Sequence, residues 1–236
     1  MSIYAISDLH LSFSGEKPMD IFGGQWEGHE EKIRKNWMNT IKENDIVLLP
    51  GDFSWAMYIE EAHQDFTYLN ELPGKKILSK GNHDYWWTTI TKMKKFLDEN
   101  NFQSIDFLYN NSFCFEDKII CGTRGWAFND TKEDQKIVNR EFQRLEISLK
   151  SGVEQFGTDK EIIVCGHYPP IINMNNMSVY EKELLQLMKR YNVKKCIYGH
   201  LHGIPKNSAL EGIFYDIEYK MVSCDYTDFE LIKIYE

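Results

Sequence analysis

Apolar and polar positions along this chain follow two regimes. Short unbroken apolar runs such as Ile46-Val47-Leu48-Leu49-Pro50 read as buried strands. Between them lie longer stretches where apolar residues recur every three or four positions among charges, as in amphipathic helices. The pattern predicts strands over Ser2–Ser7, Asp45–Pro50, Lys76–Ser79, Glu161–Cys165 and Lys195–Tyr198. It predicts helices over Trp26–Asn44, Tyr58–Leu72, Tyr85–Asn100, Glu133–Lys150 and Val179–Tyr191. In the first helix the apolar positions are Trp26, Ile33, Trp37, Met38 and Ile41, and Pro73-Gly74 stops the second.

The middle of the chain changes character. Phe107–Tyr109, Ser112–Phe115 and Lys118–Cys121 are short and aromatic or β-branched, with Asn110-Asn111 and Glu116-Asp117 as turns. The tail, Gly212–Tyr219, Lys220–Cys224 and Phe229–Tyr235, reads as a closing antiparallel meander. Strands alternating with helices predict an α/β fold, and the meanders predict a mixed sheet or two packed sheets. The 236 residues carry no internal repeat or linker, so residues 1–236 are expected to form one domain. The main loops are expected at Ser12–Gly24 and Gly122–Lys132.

Five of these strands end in residues that can hold metal ions. The pieces are Asp8-Leu9-His10, Gly51-Asp52, Gly81-Asn82-His83-Asp84, Gly166-His167 and Gly199-His200-Leu201-His202. They use five of the seven histidines. Asp8 and His10 are two apart, so on extended backbone they point the same way and can chelate one ion. Gly51 lets the chain turn sharply, and the two oxygens of Asp52 can bridge two cations. Asn82 offers a neutral carbonyl oxygen, and His83 is placed to touch a substrate. Asp84 reads as the N-terminal cap of the following helix, with an orienting role as the other reading. A His-x-His pair after glycine is itself a metal signal. Together the pieces predict a two-metal hydrolytic centre.

Composition narrows the partners. The net charge is −9, which argues against long nucleic acid, because nonspecific binding to it rests on a basic surface. Mean hydropathy is −0.47 and no apolar run approaches bilayer length, so no membrane partner is expected. Five cysteines without CxxC spacing suggest a reducing, cytoplasmic setting, with Cys165 and Cys196 as small buried hydrophobes. The first eight residues lack the basic start of a signal peptide and read as a first strand. Oligomeric state is left open.

The five pieces, in this order, resemble the calcineurin-like metallophosphoesterase superfamily, whose pattern is D-x-H, G-D, G-N-H-[D/E], a later H and G-H-x-H. The resemblance implies a four-layer α/β/β/α sandwich. It implies that Asp8, His10, Asp52 and His202 hold one divalent ion and that Asp52, Asn82, His167 and His200 hold the other, with Asp52 bridging. A water shared by the ions would attack phosphorus, and His83 would stabilise charge or protonate the leaving oxygen. The donor set suits manganese or iron first, with zinc, nickel or magnesium as alternatives. The expected substrate is a small phosphorylated molecule, a nucleotide-like mono- or diester being favoured. A phosphoprotein phosphatase and a catalytically inactive scaffold are the alternatives. Protein phosphatases of the superfamily carry G-D-x-x-D-R-G at the second piece, whereas Trp55 and Ala56 stand here for its second aspartate and its arginine. That departure disfavours the phosphoprotein reading and leaves the partner of His83 open.

Weaker features have plain readings beside functional ones. Arg124 is either a phosphate-gripping guanidinium or a surface arginine in a turn. Trp26, Trp55, Trp86, Trp87 and Trp126 flank the motif loops and could include a platform for a nucleobase, with Trp37 and one of Trp86 and Trp87 expected in the core. His29 and His63 are expected to be packed or solvated. Tyr168-Pro169-Pro170 is expected to fix the loop after His167.

Overall fold

The computed structural model describes residues 1–15, 17–127 and 132–236. Residue 16 of the first predicted loop and residues 128–131 of the second lie outside the described residues. A five-stranded sheet contains β1 (Ile3–Ala5), β2 (Ile46–Leu49), β3 (Lys75–Leu78), β4 (Ile105–Phe107) and β11 (Ile232–Tyr235), in the order β11-β1-β2-β3-β4. A six-stranded sheet contains β5 (Phe113–Phe115), β6 (Lys118–Thr123), β7 (Glu161–Gly166), β8 (Val193–Tyr198), β9 (Gly212–Phe214) and β10 (Ile217–Met221), in the order β5-β6-β7-β8-β10-β9. The helices are α1 (His29–Thr40), α2 (His63–Glu71), α3 (Ile90–Glu99), α4 (Lys132–Phe156) and α5 (Val179–Arg190).

The alternation of side chains along the strands explains the layering. Ile3, Ala5, Ile46, Leu48 and Ile77 point to one face and meet Ile120, Ile163, Cys165 and Ile197 of the other sheet. Tyr4, Val47, Leu49 and Leu78 point the other way, onto Ile33 and Trp37 of α1, Phe66 of α2 and Met93 of α3. Ile119, Cys121, Ile162, Val164 and Cys196 point away from the sheet interface, onto Leu145 of α4 and Leu184 of α5. The central strands β1, β2, β6 and β7 are thus apolar on both faces, which is why these runs lack a polar alternation. The result is the expected four-layer α/β/β/α sandwich.

Several sequence expectations change: α1 starts at His29 rather than Trp26 and ends at Thr40 rather than Asn44, α2 starts at His63 rather than Tyr58, and α4 runs on to Phe156 rather than ending at Lys150. The tail is not one meander. Tyr215 and Asp216, both at positive φ, turn β9 back onto β10 as a hairpin, and β10 runs parallel to β8. The last strand, β11, instead pairs antiparallel with β1 in the other sheet. The Tyr-Asp turn lacks the Asn-Gly type signal of such hairpins, so the pattern did not show it. The third helix starts at Ile90, not Tyr85, because Thr89 accepts a hydrogen bond from Lys92 N and caps it. Met38 faces solvent, since the buried stripe of α1 is His29, Ile33 and Trp37.

Most strands of both sheets run parallel, so their C-terminal ends gather along one edge. There Ser7, just past β1, bonds Val222 and Cys224 across from the other sheet. His200 N donates to both oxygens of Asp8 at 3.1 Å, which sets the loop carrying Asp8 and His10 against the loop after β8. Among the described residues no helix is long and apolar enough to cross a membrane. All five cysteines are free, and Cys165 and Cys196 are buried.

Candidate metal centre

The loops that meet at this edge leave no room for spare atoms. A Cβ on Gly51 would lie 2.5 Å from Gly81 N and 2.9 Å from His167 Nδ1, and Gly51 also sits at φ +88°. A Cβ on Gly81 would collide with Asp52. The motif residues themselves take left-handed backbone: Asp8 at φ 61°, His10 at 47°, Asp52 at 52° and His200 at 73°. Non-glycine residues adopt this region at a cost, and clusters of them mark functional sites.

All seven predicted ligands come together. His10 Nε2 lies 3.2 Å from His202 Nε2, and His202 Nε2 lies 3.3 Å from Asp8 Oδ1. On the other side, Asn82 Oδ1 lies 2.7 Å from His167 Nε2 and 2.9 Å from His200 Nδ1. Asp52 lies between the groups: its Oδ2 is 3.7 Å from His10 Nε2 and 3.5 Å from His167 Nε2. Asp8, Asp52, His10 and His167 are buried.

The hydrogen bonds around the rings decide which nitrogens face inward. His167 donates Nδ1–H to Pro50 O at 2.9 Å, so a neutral His167 presents its Nε2 lone pair. That lone pair faces another acceptor, Asn82 Oδ1. Two acceptors at hydrogen-bond distance repel unless a cation sits against both. This donor set of imidazole nitrogen, amide oxygen and carboxylate fits divalent first-row metals.

Electrostatics give the same answer. Burial, with the carboxylates of Asp8 and Asp84 nearby, pushes Asp52 up to about 9. Burial also works against ionisation of Asp8, but the His202 hydrogen bond and the neighbouring histidine charges hold its carboxyl well below the usual range. Burial pulls His167 down to about 4. Burial opposes the charge on His202 too, yet its hydrogen bonds to Asp225 and Asp8 push it up to about 10. A cation bound beside Asp52 would favour its charged form.

His83 stands apart from these ligands. It is half-buried, its backbone N–H donates to Asp52 Oδ1 at 2.7 Å, and its Nδ1 has no hydrogen-bond partner among the described residues. Burial, helped by the charge of His202, lowers its pKa. Trp55 packs on it, ring centroids 4.4 Å apart, and stacks on His10 at 4.7 Å. The residue that replaces the superfamily's second aspartate therefore braces His83 by contact. His83, His10 and His202 form the floor of a cavity of about 410 Å³ walled by Met19, Phe22, Trp26 and Trp55.

Some supporting residues escaped the sequence reading. Asp225 accepts from His202 Nδ1 and from Gly203 N, each at 2.9 Å. It lies outside every motif piece, so no local signal marked it. Asp84 does not cap a helix. Its carboxylate accepts from the backbone N–H of Gly81, Asp52 and Phe53 at 2.7–2.9 Å, from Ser54 N at 3.3 Å and from Trp86 Nε1 at 3.0 Å. It clamps the loops after β2 and β3 together, which is its orienting role. His29 is buried and bonds Leu9 O at 3.1 Å, between the two ligands of the first piece, whereas His63 is exposed. Trp37, Trp86 and Trp87 are all buried. Tyr168 packs on His200, ring centroids 4.1 Å apart.

Arg124 is not a surface residue. Its side chain is 15% exposed, lies 3.8 Å from Glu141 and stacks over Trp126. Its backbone carbonyl accepts from His167 N and Tyr168 N, which fixes the loop of one candidate ligand.

The calcineurin-like phosphoesterase family matches the sequence over residues 1–203. No curated protein matches it. Among solved structures, the fold is similar to TT1561 of Thermus thermophilus (TM-score 0.57, 13% identity, 99% of this chain and 97% of that one). It is similar to the phosphopantetheinyl hydrolase of Mycobacterium tuberculosis (TM-score 0.54, 13% identity, 99% and 95%). It is also similar to the calcineurin-like phosphoesterase YfkN of Bacillus subtilis (TM-score 0.51, 15% identity, 94% and 81%).

Proposed function

The chain belongs to the calcineurin-like phosphoesterase family, and from that premise we propose that it hydrolyses a small, nucleotide-like phosphomonoester or diester at a two-metal centre. The observation that carries this reading is the position of Asp52, whose Oδ2 faces His10 on one side and His167 on the other. Asp8, His10, Asp52 and His202 would hold one ion, and Asp52, Asn82, His167 and His200 the other, with manganese or iron as the first candidates. Such ions, when bound, lower the pKa of water and polarise a phosphoryl oxygen.

The chain's own residues supply the rest. Asp225 and Pro50 hold the Nδ1–H groups of His202 and His167, so that both rings present Nε2 inward. Asp84 fixes the backbone from Asp52 to Ser54 and so the carboxylate of Asp52. His83 reaches the cavity from its Trp55 brace, where it donates a proton or hydrogen bond to the leaving oxygen. Met19, Phe22, Trp26 and Trp55 offer apolar and aromatic faces to the organic part of the ester. Those faces, with no Lys or Arg among the cavity's described lining residues, support an uncharged planar group such as a base.

The test is metal content by elemental analysis together with turnover of p-nitrophenyl phosphate and bis-p-nitrophenyl phosphate, for wild type and Asp52→Asn. Near two ions per chain, with turnover lost in the variant, is the expected result. Metal-free, inactive wild-type protein after loading with manganese or iron would overturn it.

A further inference from the structure

A group of cations sits beside the metal centre without enough acid to neutralise it. Lys80 follows β3 and lies two residues before Asn82, and Arg124 follows β6. Arg144 comes from α4, and all three line one shallow cleft of about 20 Å³ with Glu141, Tyr109 and Asn110. Glu141 is the one carboxylate in that lining among the described residues, it is fully buried, and its oxygens are already taken. Arg144 Nη1 donates to it at 2.7 Å and Thr123 Oγ1 at 2.7 Å, with Arg140 Nε at 3.5 Å. Arg124 comes no nearer to it than 3.8 Å, too far for a hydrogen bond, and Arg124 Nε is buried with no partner among the described residues. Lys80 Nζ has no hydrogen bond or ion pair among the described residues.

Three cations and one occupied carboxylate, in a chain of net charge −9, leave a positive excess within that lining, with Asp84 the nearest further carboxylate to Lys80. A largely buried guanidinium whose Nε lacks an acceptor gains from an anion that completes it. The cleft shares the β3 loop with Asn82 and His83, and the backbone of Arg124 holds the His167 loop. It therefore flanks the metal centre on the Asn82 and His167 side, whereas the apolar cavity flanks it on the His83 and His202 side.

We propose that Lys80, Arg124 and Arg144 form a second anion-binding subsite that receives a phosphate or carboxylate carried by the substrate at a point remote from the scissile ester. The proposal rests on the phosphoesterase reading for its role, but not for the binding itself. A planar guanidinium pair with a lysine matches the oxygens of either anion. The substrate class thereby narrows to molecules with an apolar or planar group on one side of the ester and a second negative group on the other.

Binding of inorganic phosphate to the metal-free protein, measured by titration calorimetry, tests the subsite without requiring activity. Wild type and Asp52→Asn are expected to bind alike, and the double variant Lys80→Met, Arg144→Gln is expected to bind at least about tenfold more weakly. Lys80→Arg with Arg144→Lys should restore most of the affinity, which separates charge from misfolding. No binding to wild type, or loss in Asp52→Asn alone, overturns the subsite. The second arm uses metal-loaded protein and the p-nitrophenyl ester of thymidine 5′-phosphate, with and without a 3′-phosphate. The 3′-phosphate is expected to raise kcat/KM about tenfold in wild type and to give no gain in the double variant. No gain in wild type, with phosphate binding intact, assigns the cleft to free phosphate and overturns the substrate role. Absence of all turnover with binding intact counts against the phosphoesterase reading and leaves the anion site standing.

Discussion

His202 Nδ1 lies 2.9 Å from the Oδ1 of Asp225, a residue 23 positions later in the chain. The carboxylate fixes the proton of the ring on the outer nitrogen and points Nε2 at Asp8 and His10. Replacing Asp225 by Asn removes the charge and allows the amide to present a donor instead. Asp225→Asn is expected to weaken metal binding about 10- to 100-fold with little change in thermal stability. Metal titration beside a melting curve checks this, and unchanged affinity would remove Asp225 from the centre.

Trp55 lies on both His83 and His10. Trp55→Ala removes no candidate ligand but frees the His83 ring, so kcat should fall roughly tenfold to a hundredfold while two ions are retained. Steady-state kinetics with parallel elemental analysis separates this from metal loss. A variant that keeps full kcat would mean that His83 needs no brace.

Asp84 satisfies four backbone N–H groups inside the protein. Asp84→Ala leaves them unpaired and should destabilise the fold by roughly 3–5 kcal/mol. Denaturant unfolding of the metal-free protein measures it. A loss below about 1 kcal/mol would show that water replaces the carboxylate.

Lys76 is buried in the sheet, with Nζ donating to Leu72 O and to Ser104 Oγ. Burial lowers its pKa from 10.5 to about 8. Between these values the unfolded chain holds the proton and the folded chain releases it, so Lys76 makes stability rise with pH across that window. Below about pH 8 its full penalty remains, on the order of 3 kcal/mol from the size of the shift. Lys76→Met is expected to lack this rise, so the stability difference between variant and wild type should shrink from pH 8 to pH 10. A difference independent of pH would mean that Lys76 keeps its proton in the fold.

The candidate ligand set was legible because each of its residues sits next to a strand end or a glycine on its own loop. Asp8, His10, Asp52, Asn82, His167, His200 and His202 are local signals, readable one piece at a time. The alternation of strands and helices likewise indicated α/β layers, since burial on both faces writes itself into apolar runs.

The chemistry available at the strand ends, and the layers that carry them, are written in local sequence. The partners come from packing: Asp225 for His202, Trp55 for His83, Asp84 for the Asp52 loop, and the Lys80, Arg124 and Arg144 cleft. Packing also sent β11 across to the first sheet and folded β9 back on β10. The physical reason is separation along the chain. Local patterns record the backbone and burial of one segment, whereas a charge or a ring finds its partner through packing between segments far apart in sequence, which no periodicity encodes.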